Sequence, residues 1–424
     1  MIRMVPIFVF LICYGLFIVY PRNRSVIAIA GALAVISAGS LSWRQAVLEC
    51  VQWNVIGLFF GTLLLAELFI QSRMPAFIAE KLVDSTRTMR GAMLAICALS
   101  SVLSMFVENV AVVLVVAPVA LSLAERLKIS PVRLLILIAL FSNLQGTATL
   151  VGDPPSMILA GYLKMTFNDF FAYQGRPGIF FMVQAGALGA TLIAIFLFRR
   201  HREIIKLVLV EKVRSYTPSA LILVLIGGLS VSALFDPDFK WFAGVFAMFL
   251  GGAGLLWYKF RAQWGRIRIL ISTLDWDTTF FLIGVFIVVG AVENSGWLEI
   301  LAYKISTAAG DSPLRAYILI VGLAVIVSAF VDNVPFLLAM IPVTQTVAER
   351  LNANMPFLMF GLLIGACLGG NITPIGASAN IVTIGILRKT GYHVSFREFM
   401  AIGIPFTLAA VFAASVLVWV IWGQ

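Results

Sequence analysis

SMFVENVAVVLVVAPVALSLAERL, at residues 104–127, returns later in the chain as SAFVDNVPFLLAMIPVTQTVAERL, at residues 328–351. The two align without a gap at an offset of 224 and match at 12 of 24 positions. Each carries an acid and an asparagine inside an apolar run, Glu108-Asn109 in the first and Asp332-Asn333 in the second. Such an acid is costly unless it meets water or a partner, and neither apolar run offers a basic residue. A carboxylate retained twice under these conditions indicates function rather than packing.

Composition sets the class of protein in which these acids occur. The 424 residues are 61% hydrophobic and only 12% charged, too few charges to cover a soluble domain of this length. The chain is therefore expected to be an all-α polytopic protein of the plasma (inner) membrane, with its net charge of +10 in cytoplasmic loops rather than on nucleic acid. Runs at or near the roughly 20 residues of a membrane helix lie at 4–20, 53–71, 179–198, 220–235, 242–258, 278–292 and 399–422.

The similarity of the two stretches continues beyond them. Thr149 and Gly152 fall opposite Thr373 and Gly376, still at an offset of 224. This predicts two related halves, each holding a re-entrant helical hairpin and a broken transmembrane helix. The predicted boundaries are 1–198 for the first repeat, 199–218 for a basic cytoplasmic linker, 219–424 for the second repeat, about 91–122 and 315–347 for the hairpins, and about 133–163 and 357–388 for the broken helices.

The distribution of basic residues predicts the orientation of the halves. With the N-terminus outside and both hairpins re-entrant, 22 of the 30 Lys and Arg residues are cytoplasmic and 8 are outside. The first half then crosses the membrane five times, so the second half starts from the opposite face. Inverted repeats of this kind are typical of secondary transporters, which bind substrate and ions near the midplane, where broken helices meet.

The interrupted segments QGTATLVGDPPS and GGNITPIGASAN are rich in glycine and proline, which open a helix and free its carbonyl groups. Freed carbonyls bind cations, and the positive end of the following half-helix favours an anion. A kink made for packing is the alternative interpretation. The predicted ion- and substrate-binding residues are Glu108, Asn109, Gly146, Thr147, Thr149, Asp153, Asp332, Asn333, Gly370, Asn371 and Thr373.

Two further acids allow two interpretations each. Glu67 is either a proton relay or a helix-to-helix hydrogen-bonding group, and Asp153 is either a ligand or the cap of the second half-helix. Ala377 stands opposite Asp153, so the two half-sites are chemically unequal. Scattered cysteines and only two histidines predict no zinc site, disulfide framework or cofactor, and leave H⁺ or Na⁺ as the coupling ion.

The two hairpin-plus-broken-helix blocks resemble the ion-transporter superfamily. It includes divalent-anion/sodium symporters, citrate transporters, arsenite permeases and one class of sodium/proton antiporters. In the dicarboxylate branch each hairpin tip carries Ser-Asn-Thr, which binds sodium together with the glycine-rich loop. The matching positions here are Glu108-Asn109-Val110 and Asp332-Asn333-Val334, in which Asn remains, an acid replaces Ser and Val replaces Thr. These changes weaken the resemblance to a sodium-coupled dicarboxylate symporter and favour proton or cation exchange.

Within the superfamily, the interrupted segments look most like the branch that holds arsenite permeases and the pink-eyed-dilution type of melanosomal protein. The resemblance implies a homodimer in membrane lipid, with a scaffold and a transport domain that moves as an elevator. It predicts a secondary active transporter of a small inorganic ion or metalloid, first of all a proton-coupled arsenite or antimonite efflux permease. The alternatives are a sodium/proton antiporter, a citrate- or dicarboxylate-type organic-anion transporter and, from another class, a channel or a membrane-embedded enzyme. No HExxH or GxSxG motif supports an enzyme.

Overall fold

The computed structural model describes residues 4–20, 23–201, 203, 212–262, 267–310 and 312–423, so residues 202 and 204–211 of the predicted linker at 199–218 lie outside the described residues. The first half of the chain contains nine α-helices within these ranges. They are α1 (Met4–Val19), α2 (Arg24–Ser37), α3 (Trp53–Gln71), α4 (Met74–Asp84), α5 (Met89–Ser104), α6 (Asn109–Arg126), α7 (Val132–Gly146), α8 (Pro154–Leu163) and α9 (Ile179–Leu197).

The second half contains ten α-helices within the described ranges. They are α10 (Thr217–Ser230), α11 (Phe242–Trp257), α12 (Ile267–Thr273), α13 (Trp276–Asn294), α14 (Trp297–Ala309), α15 (Pro313–Ser328), α16 (Asn333–Arg350), α17 (Met355–Gly369), α18 (Ser378–Lys389) and α19 (Phe396–Trp422). Eight helical spans among the described residues are long and apolar enough to cross a membrane. The expectation of a helical polytopic protein is confirmed.

The expectation of a purely helical chain needs one correction. Two short antiparallel strands, β1 (Ala172–Tyr173) and β2 (Arg176–Pro177), pair before α9. The turn between them consists of Gln174 and Gly175, both with positive φ, at 48° and 76°. Positive φ at both turn residues matches the twist of a two-residue hairpin, which is why a strand pair forms here.

The two acid-asparagine stretches form the tips of helical hairpins. Four residues separate α5 from α6, and four separate α15 from α16. Both hairpins are longer than predicted, because Thr88 caps α5 by accepting from Gly91 N and Ser312 caps α15 by accepting from Arg315 N. The same arrangement thus occurs twice, while its inverted orientation in a membrane stays a prediction.

Each broken helix docks on the tip of its own hairpin. The Thr149 hydroxyl donates to the Met105 carbonyl, and the equivalent Thr373 hydroxyl donates to the Ala329 carbonyl. The backbones come so close that a Cβ on Gly152 would lie 2.7 Å from the Ser104 carbonyl oxygen. Glycine is therefore required at position 152, because the crossing backbones leave no space for a side chain.

The two halves are held together by helices of the first half that pack against helices of the second. Helix α3 packs along α11, and α2 packs along α13. Asn54 ties the first pair together, because its Nδ2 donates to Phe239 O at 2.7 Å and its Oδ1 accepts from Gly244 N at 2.7 Å. Every residue of α17 except Met355 is buried, as is every residue of α7 except Arg133, so the broken helices form the centre of the molecule.

Candidate functional site

Both hairpin tips and both broken helices meet at one small cavity of about 40 Å³. It lies where α6, α8, α16 and α18 begin, beside the first turns of α2 and α13. Of the predicted binding residues, the structure brings five to this cavity. The full lining is Arg24, Phe59, Glu108, Asn109, Asp153, Pro154, Asp275, Thr278, Phe281, Asp332, Asn333, Val334, Ala377 and Ser378.

The tip of the first hairpin holds Glu108 and Asn109 through backbone contacts. Glu108 is the N-cap of α6, and its Oε2 accepts from Ala111 N at 3.0 Å. Asn109 Oδ1 accepts from Val110 N at 2.9 Å, which fixes the side-chain amide at the cavity wall. The cap geometry directs a carboxylate into the cavity without a basic partner among the described residues.

The tip of the second hairpin has the same backbone but a different neighbour. Asp332 is the N-cap of α16, with φ −52° and ψ 135° against −51° and 136° for Glu108. Its Oδ1 accepts from Val334 N at 3.1 Å, and its Oδ2 forms an ion pair with Arg24 Nη1 at 2.9 Å. The adjacent Asn333 side chain faces the Asp153 carboxylate of the first half. The tips are thus equivalent in backbone and unequal in charge.

Arg24 was missed by the sequence interpretation, which counted it among the cytoplasmic loop residues. Its side chain is only 17% exposed, and it pairs with Asp277 as well as Asp332. Neither apolar run contains a basic residue, as the sequence shows, and the basic partner of Asp332 comes instead from a position 308 residues away. Arg24 is the first residue of α2, separated by four residues from the end of α1, and the structure makes both helices shorter than the roughly 20 residues that span a bilayer.

A second group that the sequence interpretation missed is a network of buried amides behind the cavity. Asn143 accepts from Asn109 Nδ2 at 2.8 Å and donates to Asn371 Oδ1 at 2.9 Å and Asn380 Oδ1 at 3.1 Å. Asn380 in turn donates to Gly370 O at 3.0 Å. The network joins the first hairpin tip to both broken helices, so it holds the two halves of the site in register.

Six predicted binding residues lie behind the cavity wall rather than on it. The hydroxyls of Thr147, Thr149 and Thr373 donate to backbone carbonyls. A direct ligand role for the six stays a prediction, and their contacts show them holding the interrupted segments. These residues, all buried, are Gly146, Thr147, Thr149, Gly370, Asn371 and Thr373.

The two open questions about acids receive different answers. Glu67 lies outside the cavity lining and accepts from Gln71 Nε2 at 3.0 Å within the same helix α3, so this contact is not the helix-to-helix hydrogen bond of the sequence interpretation, and both roles stay predictions. Asp153 stands at the N-cap position of α8 but makes no side-chain cap hydrogen bond. It is 5% exposed and lines the cavity, so the cap interpretation has no hydrogen bond behind it, while the ligand role stays a prediction.

Charge and shape divide the region into two parts. Four carboxylates, from Glu108, Asp153, Asp275 and Asp332, line the small cavity with the single guanidinium of Arg24. Oxygen-rich, acidic surroundings of this size suit a proton or a hard cation. A larger cavity of about 260 Å³ adjoins it, with Arg24, Asp332 and Ser378 in common. The walls of this larger cavity are mostly apolar and include Phe17, Ile18, Phe330, Ile375, Ile381 and Val382.

Comparison with a family model gives a match along nearly the whole chain. The model described as "Citrate transporter" matches residues 14–259 and 242–423. An uncharacterized transporter of Mycobacterium tuberculosis (strain CDC 1551 / Oshkosh) is 30% identical over 372 residues, which cover 87% of this chain and 86% of the relative. An uncharacterized transporter of Mycobacterium bovis is 28% identical over 432 residues, which cover 98% of this chain and 97% of that protein.

Two other similar proteins extend the comparison. The P protein of Mus musculus is 26% identical, with 93% of this chain matched to 57% of that protein, so the chain spans little more than half of it. The crystal structure of the YdaH transporter of Alcanivorax borkumensis has a TM-score of 0.61 at 14% identity and covers 99% of this chain and 98% of its own. At that identity the similarity concerns the fold alone.

Proposed function

Because the chain belongs to the citrate transporter family, we propose that it is a secondary active transporter whose coupling cation binds at the meeting point of its two hairpin tips. The family and the similar proteins are transporters, not enzymes. The observation that carries the proposal is the small cavity, where four carboxylates face one guanidinium. A cavity with this excess of acid attracts cations and repels unaccompanied anions.

The proposed coupling ion is the proton, and the sodium ion is the second candidate. Carboxylates of Glu108, Asp153 and Asp332 supply groups that take up and release protons. Sodium is favoured by a different observation, namely that the side-chain amides of Asn109 and Asn333 line the same cavity as these acids, and amide oxygens are ligands that hard cations prefer. On this second interpretation the protein is a sodium/proton antiporter.

The solute is proposed to bind in the larger cavity, which is the only one of the two with room for more than a small ion. Membership of the citrate transporter family favours citrate or another small organic anion over arsenite or antimonite. A carboxylate solute reaching Ser378 would enter beside Asp332 and Asp277, so it must arrive with protons or cations. An elevator movement, a homodimer and a plasma-membrane location with the N-terminus outside complete the proposal.

Transport by purified protein in proteoliposomes tests the proposal. Uptake of radiolabelled citrate, arsenite and sodium is measured separately under an imposed pH gradient and an imposed sodium gradient, with an internal pH dye. We expect accumulation of one solute above its equilibrium level, together with a change in internal pH or dependence on the sodium gradient. Simple equilibration of the solute, with no response to either gradient, would identify a channel and overturn the proposal.

A further inference from the structure

Arg24 is held unevenly by the groups around it. Its Nε pairs with Asp277 Oδ2 at 3.0 Å, and its Nη2 donates to Thr278 Oγ1 at 2.6 Å. Its guanidinium carbon lies 5.1 Å from the centre of the Phe281 ring, and Asp277 is itself held by Ser25. These contacts all lie within α2 and α13, which pack along one another. They anchor the guanidinium on that pair of helices.

Only one nitrogen of Arg24 reaches the other side of the cavity. Nη1 pairs with Asp332 Oδ2 at 2.9 Å and lies 3.4 Å from Ser378 Oγ. Asp332 begins α16 at the hairpin tip, and Ser378 begins α18 after the interruption. A single arm of the guanidinium therefore connects the anchoring helices to the hairpin and broken helix of the second half.

We propose that Arg24 is a tethered competitor for the transported cation: it occupies Asp332 while the site is empty, and a cation or proton arriving at Asp332 must displace it. The inference rests on the proposed function and adds to it a residue that sets the strength of cation binding. Removing one member of a buried ion pair is costly unless another charge replaces it. An arriving cation or proton supplies that replacement, because it neutralises Asp332 while Arg24 keeps Asp277.

The first hairpin tip provides the internal contrast. Among the described residues Glu108 accepts only from backbone, so a cation binding there displaces no side chain. The second tip alone releases a contact when its acid is neutralised, which gives the two halves different tasks. Cation arrival at Asp332 would free the hairpin tip from α2 and α13, the step that a moving domain requires.

Several charged or titratable groups face Asp332 or share its cavities, and the test must separate them from Arg24. They are Tyr14 on α1, Arg24 on α2, Glu108 and Asp153 at the starts of α6 and α8, and Asp275 and Asp277 at the start of α13. Replacing Arg24 changes the response of the hairpin tip, whereas these acids stay in place as a common background in both Arg24 variants.

The experiment measures how readily the hairpin tip is reached from water. Phe330 lies two residues before Asp332, lines the larger cavity and is 48% exposed. A Phe330→Cys protein is reconstituted and labelled with a membrane-impermeant maleimide at mildly acidic and mildly alkaline pH. Rates are divided by those of an exposed reference in the loop between α6 and α7, Lys128→Cys, to remove the pH dependence of the thiol. Labelling of the unmodified chain gives the background from native cysteines.

We expect slow labelling in alkaline medium, where Arg24 holds the hairpin tip, and labelling about tenfold faster in acid, where Arg24 has released it. Arg24→Gln should label fast at both pH values, and Arg24→Lys should restore the slow alkaline rate. Asp332→Asn should also label fast, and the double variant Arg24→Gln with Asp332→Asn should label no faster than either single variant. Lys240→Gln, which removes a surface ion pair with Asp238, is the matched control and should behave as the parent.

If Arg24→Gln is not obtained folded, Asp277→Asn replaces it, because it loosens the anchor and should give an intermediate alkaline rate. Equal labelling of parent and Arg24→Gln, or a pH response that persists unchanged in Arg24→Gln, overturns the inference. Labelling needs no transported solute, so its outcome does not depend on the proteoliposome assay. Failure of that assay would refute the proposed function, and it would produce neither of the two labelling results that overturn the role of Arg24. Intact coupled transport with unchanged labelling would refute the role of Arg24 alone.

Discussion

Glu108 and Asp332 occupy equivalent places in the backbone, yet of the two only Asp332 forms an ion pair with Arg24 among the described residues. Both acids also cap the helix that follows them, so each has a structural task in addition to its charge. The two tasks separate by substitution, because a side-chain amide caps a helix as well as a carboxylate does but carries no titrating charge.

The first prediction uses this separation. Glu108→Gln and Asp332→Asn should each abolish coupled transport while the protein stays folded, since the cap is retained and the charge is lost. The measurements are transport rate against pH in proteoliposomes, for the solute that the parent accumulates, and thermal unfolding in detergent. Parent-like rates and pH dependence in both variants would make these acids purely structural.

The second prediction concerns Asp153 and Asn371, which the sequence interpretation assigned to ion and solute binding. Asp153 faces the cavity, whereas Asn371 is fully buried and its Nδ2 donates to Leu140 O at 3.1 Å. Asp153→Asn should change the dependence of transport on the coupling ion with little effect on stability. Asn371→Ala should instead lower the stability by about 1–3 kcal/mol, because Asn143 loses a buried acceptor.

Dose-response curves for ion and solute, recorded together with thermal unfolding, distinguish the two variants. A stable Asn371→Ala protein with weakened solute affinity would restore the interpretation made from the sequence. An Asp153→Asn protein with unchanged ion dependence would remove Asp153 from the site.

Among single residues, the sequence revealed the acids at the hairpin tips but not the residues that contact them in the folded protein. Duplication made Glu108 and Asp332 visible because each motif is contiguous. Arg24 could not be placed, since its acidic partners lie 253 and 308 residues away. Asn143 was invisible for another reason: the residue at an offset of 224 is Cys367, so comparison of the repeats gives no signal there.

Among the elements, the interrupted helices show the tightest constraint. A Cβ on Gly376 would lie 2.8 Å from the Ala329 carbonyl oxygen, a backbone atom that cannot move aside, whereas a Cβ on Gly385 in α18 would meet nothing within 4 Å. The two glycines therefore serve as a matched pair, one at a backbone crossing and one in open space.

The third prediction follows from this pair. Gly376→Ala should destabilise the protein by about 1–3 kcal/mol, because overpacking at a backbone crossing forces the loop off the hairpin tip. Gly385→Ala should be neutral or stabilising by up to about 1 kcal/mol, since alanine is the better helix former. The measurement is thermal unfolding in detergent. Equal effects of both substitutions on stability would contradict the close approach of the two backbones at Gly376.

Glycine and proline predicted where both helices break, because those residues act locally. The hairpin ends were set too short because the caps Thr88 and Ser312 were not recognised as helix starts. The strand pair was missed because Gln174 gives no sign of its positive φ. Helix existence was thus readable from the chain, while exact ends depended on single caps and turns.

For the whole molecule, the exchange of helices between halves explains how two repeats make one site. Helix α2 of the first half lies against α13 of the second, and this contact brings Arg24 to Asp277. Such pairing is tertiary and has no sequence signature, so it was not predicted. The internal similarity and the charge distribution predicted two halves and their opposite orientations, and the orientation is the part that awaits experiment.

The central claim is that the two halves lie inverted in the membrane and so bring both acidic tips to one cavity. Lys128 and Asn352 test it most directly, because they are exposed, equivalent at an offset of 224, and share a positive φ of 53° and 47°. Each is replaced by cysteine and labelled with a membrane-impermeant maleimide in intact cells and in inverted vesicles. The account predicts that Lys128→Cys reacts only from the cytoplasmic side and Asn352→Cys only from the outside. Labelling of both cysteines from the same side would contradict it.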